Sequence, residues 1–212
     1  HWNAMQRIID LGFAKEVYVR YNTNLSRTEF KGIKLFDLLP QFQDWQICAS
    51  IDGTNEVGEY IRDGLNYKQW LENFKEGLVV AKTAREMRLD YTITLPGLLE
   101  LTNMFNLSVE LNTQILTKVM FTFSNDEILS PLALSTELMH SIIDKALEYI
   151  EPRATWKQQS IIDVLKNLKT RPNFVPTKKG KQRQERIDKI RKQDITKILA
   201  KDERVLEWWT NI

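Results

Sequence analysis

Apolar residues alternate between strand-like runs and helix-like periods along the first 125 residues of the chain. Four runs are rich in β-branched and aromatic residues, which favours strands, and they cover 17–21, 45–51, 89–95 and 116–123. Apolar residues at helical spacing predict amphipathic helices between them, at 2–11, 33–39, 67–81 and 98–105. This regular alternation of helix and strand predicts βαβ units and a parallel sheet.

The second strand, 45–51, is the most continuously apolar of the four. Such a run is typical of a strand that is buried on both faces of a parallel sheet. The segment that follows its Asp52-Gly53 turn, residues 54–66, is polar and is predicted to be a loop.

The pattern changes after Asn125, where strand-like runs end. Ser130 before Pro131 indicates a helix start, and this helix is predicted to extend to about Glu151. The predicted elements beyond it are a helix at 156–168, a linker at 171–180, a basic amphipathic helix at 184–199 and an apolar anchor at 205–209. The chain is therefore predicted to divide into an α/β part, residues 1–125, and a mostly helical extension, residues 126–212.

Composition indicates a globular protein without a strongly charged partner. Hydrophobic residues make up 42% of the 212 positions, enough for a core, and the net charge is only +2. The basic stretch Lys178–Arg183 lacks the interleaved aromatics of single-strand binding sites, so a nucleic-acid partner is not predicted. No apolar run approaches the roughly 20 residues needed to span a bilayer, and no signal peptide is visible. We therefore expect no membrane partner and a cytoplasmic location.

The chain contains a single cysteine, Cys48. An internal disulfide and a CxxC metal site are therefore excluded, and Cys48 is interpreted as a small buried residue on its strand. The sequence begins at His1 and enters a helical pattern at once, from which we expect that upstream sequence is missing.

Polar residues follow two strands that should be neighbours. Asn22 and Asn24 follow the first strand, and Ser50 and Asp52 close the second in the sequence S-I-D-G. The carboxyl ends of parallel strands meet at the edge where α/β sheets bind ligands. Amides and a hydroxyl can orient a sugar or an amino-acid carboxylate, and Asp52 can accept hydrogen bonds from ribose hydroxyls. Alternatively, these side chains make Asx-turns and cap the next helices.

Arg62 lies in the segment E-Y-I-R-D-G, residues 59–64. Its guanidinium can hold a ligand carboxylate in a bidentate pair, or it can form a surface pair with Glu59 or Asp63, which would be worth little. No Ser/His/Asp or Cys/His arrangement, HExxH, Walker loop or GxGxxG occurs. No catalytic residue is therefore predicted.

Five segments together resemble the radical S-adenosylmethionine enzymes, in particular their twitch-type branch. They are Y-N-T-N at 21–24, S-I-D-G at 50–53, E-Y-I-R-D-G at 59–64, R-L-D-Y-T-I-T-L at 88–95 and E-R-I-D-K-I-R-K-Q-D at 185–194. The resemblance implies a partial (β/α) barrel of parallel strands followed by a mostly helical region. S-adenosylmethionine would lie across the carboxyl ends of the strands.

The resemblance also implies roles for individual residues. Ser50 and Asp52 would face the ribose and methionine portions of the cofactor. Asn22 and Asn24 would line the neighbouring strand end, and Arg62 would approach the methionine carboxylate.

The chain departs from this family in two motifs. The family binds a [4Fe-4S] cluster through CxxxCxxC after its first strand and holds the methionine amino group with Gly-Gly-Glu after its second. Neither motif occurs here, and one cysteine cannot hold a cluster that normally needs several thiolates. The chain is either truncated before its third βα unit or a degenerate homologue, and its abrupt start favours truncation.

The leading hypothesis is the C-terminal portion of a radical S-adenosylmethionine oxidoreductase. The intact parent would cleave its cofactor reductively to a 5′-deoxyadenosyl radical, which abstracts hydrogen from a substrate such as a peptide. This chain alone should be inactive. Two other hypotheses stay open: a non-enzymatic α/β module that binds a peptide or nucleotide, and an unrelated α/β enzyme that uses Asp52 and Arg62.

Overall fold

A computed structural model describes all 212 residues, and its architecture is α/β. In chain order the elements are α1 (Trp2–Asp10), β1 (Tyr18–Thr23), β2 (Glu29–Phe30), β3 (Ile33–Lys34), α2 (Leu35–Leu38), β4 (Asp44–Ile51), α3 (Asn55–Ile61), α4 (Tyr67–Val80), β5 (Met87–Ile93), α5 (Leu95–Leu98), α6 (Leu101–Glu110), β6 (Gln114–Val119), α7 (Thr136–Ile150), α8 (Gln159–Leu168), α9 (Lys178–Arg191), α10 (Ile195–Leu199) and α11 (Glu203–Thr210).

The main sheet has four strands in the order β1-β4-β5-β6, and every pair is parallel. These are the four predicted strands, so the predicted α/β class with a parallel sheet is confirmed. The fourth strand ends at Val119 rather than at residue 123, because Met120 N–H makes the last bond to the neighbouring strand, at Ile93 O. β2 and β3 form a separate short antiparallel pair that the sequence did not predict.

The sheet is apolar on one face and polar on the other. Alternate residues of β4 and β5 are fully or almost fully buried and belong to the main core: Trp45, Ile47, Ala49, Ile51, Met87, Leu89, Tyr91 and Ile93. The same core contains Trp70 and Phe74 of α4 and Phe105 of α6. The helices between the strands therefore cover this face.

We call the opposite side the polar face. Its side chains come from all four strands and include Arg20, Asn22, Gln46, Cys48, Ser50, Arg88, Asp90, Thr92 and Lys118. Arg20, Asn22 and Lys118 are exposed and Ser50 is half-buried, so this face is partly open to solvent. The expectation that the strand at 45–51 is buried on both faces holds at Cys48, which is buried although it lies on the polar face, whereas Gln46 and Ser50 on that face are half-buried.

The predicted loop at 54–66 is wrong in its first half, where α3 forms. Val57 and Tyr60 stand one helical turn apart and are both buried. Only these residues and Ile61 give an apolar signal, which is too little to predict a helix from sequence. Tertiary burial supplies most of the stability of such a short helix.

The predicted basic helix at 184–199 is two helices. α9 begins earlier, at Lys178, and ends at Arg191, before Lys192, which has a left-handed backbone with φ of 54°. The backbone N–H of Ile195 donates to Asp188 Oδ2 at 2.8 Å, which fixes the start of α10 against the end of α9.

The helix predicted from Ser130 to about Glu151 also begins later. Residues 131–133 form a 3-10 turn, and α7 starts at Thr136 with the side chain of Ser135 as its N-cap.

Residues after Asn125 form helices and turns only. The apolar anchor predicted at 205–209 lies in α11, which buries Val205 and Trp209. These two residues belong to one contiguous core of 47 buried side chains together with Ile51 and Leu89 of the sheet. No helix in the chain has the length and apolar content to cross a membrane.

Candidate functional site

Three of the predicted site residues form a cluster at the carboxyl ends of β1 and β4. Asn24 follows β1, Asp52 directly follows β4, and Arg62 directly follows α3. Arg62 Nη1 donates to Asn24 Oδ1 at 2.7 Å, and Arg62 Nε is 2.8 Å from Asp52 Oδ2. We call these three residues the strand-end cluster, since one guanidinium joins the ends of two adjacent strands.

Asp52 is only 5% exposed, and both of its oxygens have protein partners. Oδ1 accepts a hydrogen bond from Thr92 N at 3.0 Å, and Oδ2 faces Arg62. The buried Arg62 Nε–H does not point at the carboxylate, so this contact is an ion pair rather than a hydrogen bond. Asp52 therefore connects the end of β4 to β5 and positions Arg62.

Arg62 does not make the surface pairs that its sequence neighbours suggested. Glu59 instead accepts from Tyr67 N at 2.9 Å, and Asp63 lies 3.5 Å from Arg191. Arg62 Nη2 makes no hydrogen bond within the chain. The guanidinium therefore keeps donors for a ligand while it holds the two strand ends.

Two glycines allow α3 to start directly against the end of β4. A Cβ on Gly53 would lie 2.8 Å from Val57 Cγ1, and a Cβ on Gly58 would overlap the carbonyl oxygen of Gly53. This close approach turns the chain back so that Arg62, at the far end of α3, reaches Asp52. The two glycines are visible in the sequence, but their contact depends on how the chain turns between β4 and α3, which the sequence pattern does not predict.

The start of α3 is also held by a buried carboxylate. Thr54 donates to Glu100 Oε2 through its backbone N at 3.0 Å and through Oγ1 at 2.6 Å. Glu100 is completely buried, and Lys201 Nζ lies 3.0 Å from its Oε1. Since Lys201 belongs to the helical extension, the extension is tied to the strand ends.

Asn22 and Ser50, the other two predicted site residues, lie on the polar face rather than in the strand-end cluster. Asn22 is opposite Cys48 in the β1–β4 register, and Ser50 is two positions further along β4. Neither side chain hydrogen-bonds within the chain; Asn22 is exposed and Ser50 half-buried. These are the predicted groups that remain free for a ligand.

Two arginines on the polar face approach Cys48. Arg88 is 8% exposed, and its Nε donates to Cys48 Sγ at 3.2 Å. Arg20 projects from β1 on the other side of β4, and the nearby Cys48 sulfur raises the pKa of its guanidinium. Cys48 is 1% exposed, as its prediction as a buried residue required.

Lys118 of β6 pairs with both oxygens of Asp90, at 2.9 and 3.1 Å. The sequence reasoning missed the charged residues of the polar face. The alternating polar residues Arg88-x-Asp90-x-Thr92 could have predicted this face, because alternate residues of a strand point to the same side of a sheet.

A second buried network fastens α9 to α3. Tyr60 OH donates to Asp188 Oδ1 at 2.8 Å, and Gln184 Nε2 donates to Tyr60 OH at 2.7 Å. Burial and the neighbouring Asp188 carboxylate raise the pKa of Tyr60. Because Arg62 directly follows α3, the helical extension supports the residue that organises the strand-end cluster.

The residues present do not fit an iron–sulfur cluster. No group of three or more His, Cys, Asp or Glu side chains is placed to hold a metal ion. The one cysteine is buried against Arg88. A free amide, a free hydroxyl and unbonded guanidinium donors are present near the carboxyl ends of β1 and β4.

Comparison with known proteins adds no family assignment. No protein-family model matches the chain, and no curated protein or solved structure matches it significantly.

Proposed function

We propose that this chain is the C-terminal portion of a radical S-adenosylmethionine oxidoreductase of the twitch type. In this proposal the four-stranded sheet is part of an incomplete (β/α) barrel, and the polar face lines the barrel interior. The [4Fe-4S] cluster would be held by residues upstream of His1, since residues 1–212 do not fit it.

The observation that carries the proposal is the sequential parallel order β1-β4-β5-β6 combined with one apolar and one polar face. Right-handed crossovers between successive neighbours put every connecting helix on the same side of a sheet. A doubly wound sheet instead reverses its strand order and is covered on both sides. A barrel has sequential strands, outer helices and an inward face, so the sequential order and the single helix-covered face of this sheet support the proposal.

The free groups suggest how the chain would contribute to catalysis. The cluster and S-adenosylmethionine, when bound, supply hydrogen abstraction from a substrate, for which a peptide is one candidate. Asn22 and Ser50 would hydrogen-bond the cofactor from the polar face. Arg62, held by Asp52 and Asn24, would present its remaining donors to the methionine carboxylate. Asp52 would act through Arg62 rather than on the ribose.

The first test is to read the coding sequence upstream of His1. We expect a CxxxCxxC motif and a Gly-Gly-Glu segment about one βα unit apart. A parallel test reconstitutes the present chain anaerobically with iron and sulfide, and we expect no stoichiometric cluster. Upstream sequence without both motifs, or a stoichiometric [4Fe-4S] spectrum with cofactor cleavage by this chain, would contradict the proposal.

A second candidate is a non-enzymatic module that binds a peptide or nucleotide on the same polar face. It is favoured by the exposed charge on that face, which comes from Arg20 and Lys118. The upstream sequence separates the two candidates, because a binding module needs neither cluster cysteines nor Gly-Gly-Glu.

A further inference from the structure

Two positive charges on the polar face have no carboxylate partner. Neither Arg20 nor Arg88 takes part in any ion pair of the chain. The one hydrogen bond made by the Arg88 guanidinium goes to Cys48 Sγ. The Arg88 side chain is more than nine-tenths buried, and its two unbonded terminal nitrogens are the part that solvent or a ligand can reach.

The carboxylates that stand nearest on the same side of the sheet are already used. Asp90 is paired with Lys118 through both oxygens. Asp52 is paired with Arg62 and hydrogen-bonded to Thr92 N. Neither arginine therefore has a carboxylate of its own within ion-pair distance, although the charge of Asp90 also acts on Arg20.

The two arginines flank one strand. Arg20 lies on β1 and Arg88 on β5, with β4 between them. Adjacent strands are about 4.8 Å apart, so the two backbones are about 10 Å apart. The Arg88 guanidinium donates to Cys48 Sγ, and Arg20 projects on the same face from the strand on the other side of β4, so an anion lying over β4 is within reach of both long side chains.

We infer that Arg20 and Arg88 bind an anionic group, a carboxylate or a phosphate, on a molecule that occupies the polar face. Planar guanidinium groups match the oxygens of both anions in bidentate geometry.

The anion site is separate from the strand-end cluster. Cys48 precedes Asp52 by four residues on the strand, a distance of roughly 13 Å. A ligand at the strand ends and an anion between the arginines can therefore be bound together. Under the proposed function the anionic molecule is the substrate; that assignment rests on the proposed function, whereas anion binding itself does not.

The test measures thermal unfolding of the full chain with inorganic phosphate, with succinate, and with sodium chloride at matched ionic strength. A ligand that binds only the folded state raises the melting temperature by mass action. We expect a saturable rise with phosphate or succinate beyond that with chloride. The more effective of the two identifies a phosphate or a carboxylate as the preferred group.

Arg88→Met should weaken binding at least about tenfold, since a charge-assisted hydrogen bond is lost. Arg186→Met makes the same change at an exposed position of α9 without an ion pair and should bind like the wild type. Arg20→Met, also at an exposed position, supplies the same test if Arg88→Met fails to fold.

Three results would overturn the inference. The first is that neither phosphate nor succinate raises the melting temperature more than chloride does. The second is that the arginine variants bind the anion as the wild type does. The third is that ultraviolet absorbance reveals a Cys48 thiolate at neutral pH that is absent from Cys48→Ala, because the thiolate would then be the counter-ion. Missing cluster motifs upstream would contradict the proposed function but leave these measurements unchanged, so the two failures are distinguishable.

Discussion

Arg62 uses the geometry of a guanidinium group to hold two strand ends with one side chain. Nη1 reaches Asn24 and Nε faces Asp52, while Nη2 stays unbonded. A lysine ammonium is a single point of charge and lacks this planar fork.

The sequence segments at 21–24, 50–53 and 59–64 identified Asn24, Asp52 and Arg62 as candidate site residues, but they did not predict the contacts between them. Acidic residues adjacent to Arg62 in sequence were equally plausible partners, and only the fold of α3 decides between them.

Replacing Arg62 by methionine should destabilise the chain. Asp52 would remain buried without a cation, and we expect a loss of about 1–2 kcal/mol in the free energy of unfolding. The value is kept low because the Arg62 side chain is 23% exposed and water screens the pair. Urea unfolding measures the change, and Arg186→Met should stay within about 0.5 kcal/mol of the wild type. Equal losses in both variants would argue against the pairing.

At the scale of elements, α3 connects the sheet to the helical extension. Gly53 and Gly58 let it approach the end of β4, and Tyr60 binds Asp188 and Gln184 of α9. None of this was predictable from local sequence, because α3 has few apolar residues and its hydrogen-bond partners lie more than a hundred residues away. The strongly periodic α4 was predicted closely, since its own apolar pattern specifies it.

Gly58→Ala tests the close contact of α3. Alanine normally favours a helix over glycine by about 1 kcal/mol, but here its Cβ would overlap the Gly53 carbonyl oxygen. Backbone must move to relieve the overlap, so we expect a net loss of about 1–3 kcal/mol. Chemical denaturation gives the value, and a stabilised variant would show that the two glycines are not in contact.

Tyr60→Phe tests the link between α3 and α9, and Tyr67→Phe is its matched control. The first removes a hydroxyl that bonds both Asp188 and Gln184; the second removes a hydroxyl without a hydrogen bond. We expect a loss of about 1–2 kcal/mol for Tyr60→Phe and little change for Tyr67→Phe at neutral pH. If both variants unfold at the same urea concentration, the buried network contributes nothing.

At the scale of the whole molecule, buried tyrosines make stability sensitive to alkali. Burial, with Glu110 and Glu100 nearby, raises the pKa of Tyr67 from 10.0 to about 12. The unfolded chain therefore loses this proton at lower pH than the folded chain. The contribution to stability is complete below pH 10 and is lost as pH rises toward 12.

Unfolding free energies measured across this alkaline range should fall with pH, and less steeply for Tyr67→Phe than for the wild type. The phenolate absorbance of the folded protein should correspondingly lag behind that of the urea-unfolded chain. A variant with an unchanged pH slope would contradict the raised pKa.

The whole sheet was predictable in order and direction, because alternating strand and helix signals lead to parallel neighbours. Its two unlike faces were not recognised, since Cys48 and Ala49 make β4 look continuously apolar. The positive charges on the polar face come from three other strands: Arg20 lies on β1, Arg88 on β5 and Lys118 on β6. They therefore come together only in the folded sheet. Whether two of these charged residues lie close together depends on the register of their strands rather than on their residue type.

The most direct measurement is S-adenosylmethionine cleavage by the longer protein that includes the upstream coding sequence, assayed anaerobically after reconstitution with iron and sulfide. We expect release of 5′-deoxyadenosine, a higher half-saturating S-adenosylmethionine concentration for Ser50→Ala, and no change for the exposed Ser26→Ala. Absence of 5′-deoxyadenosine, or a Ser50→Ala variant that behaves as the wild type, would contradict the assignment of the polar face as the wall of that site.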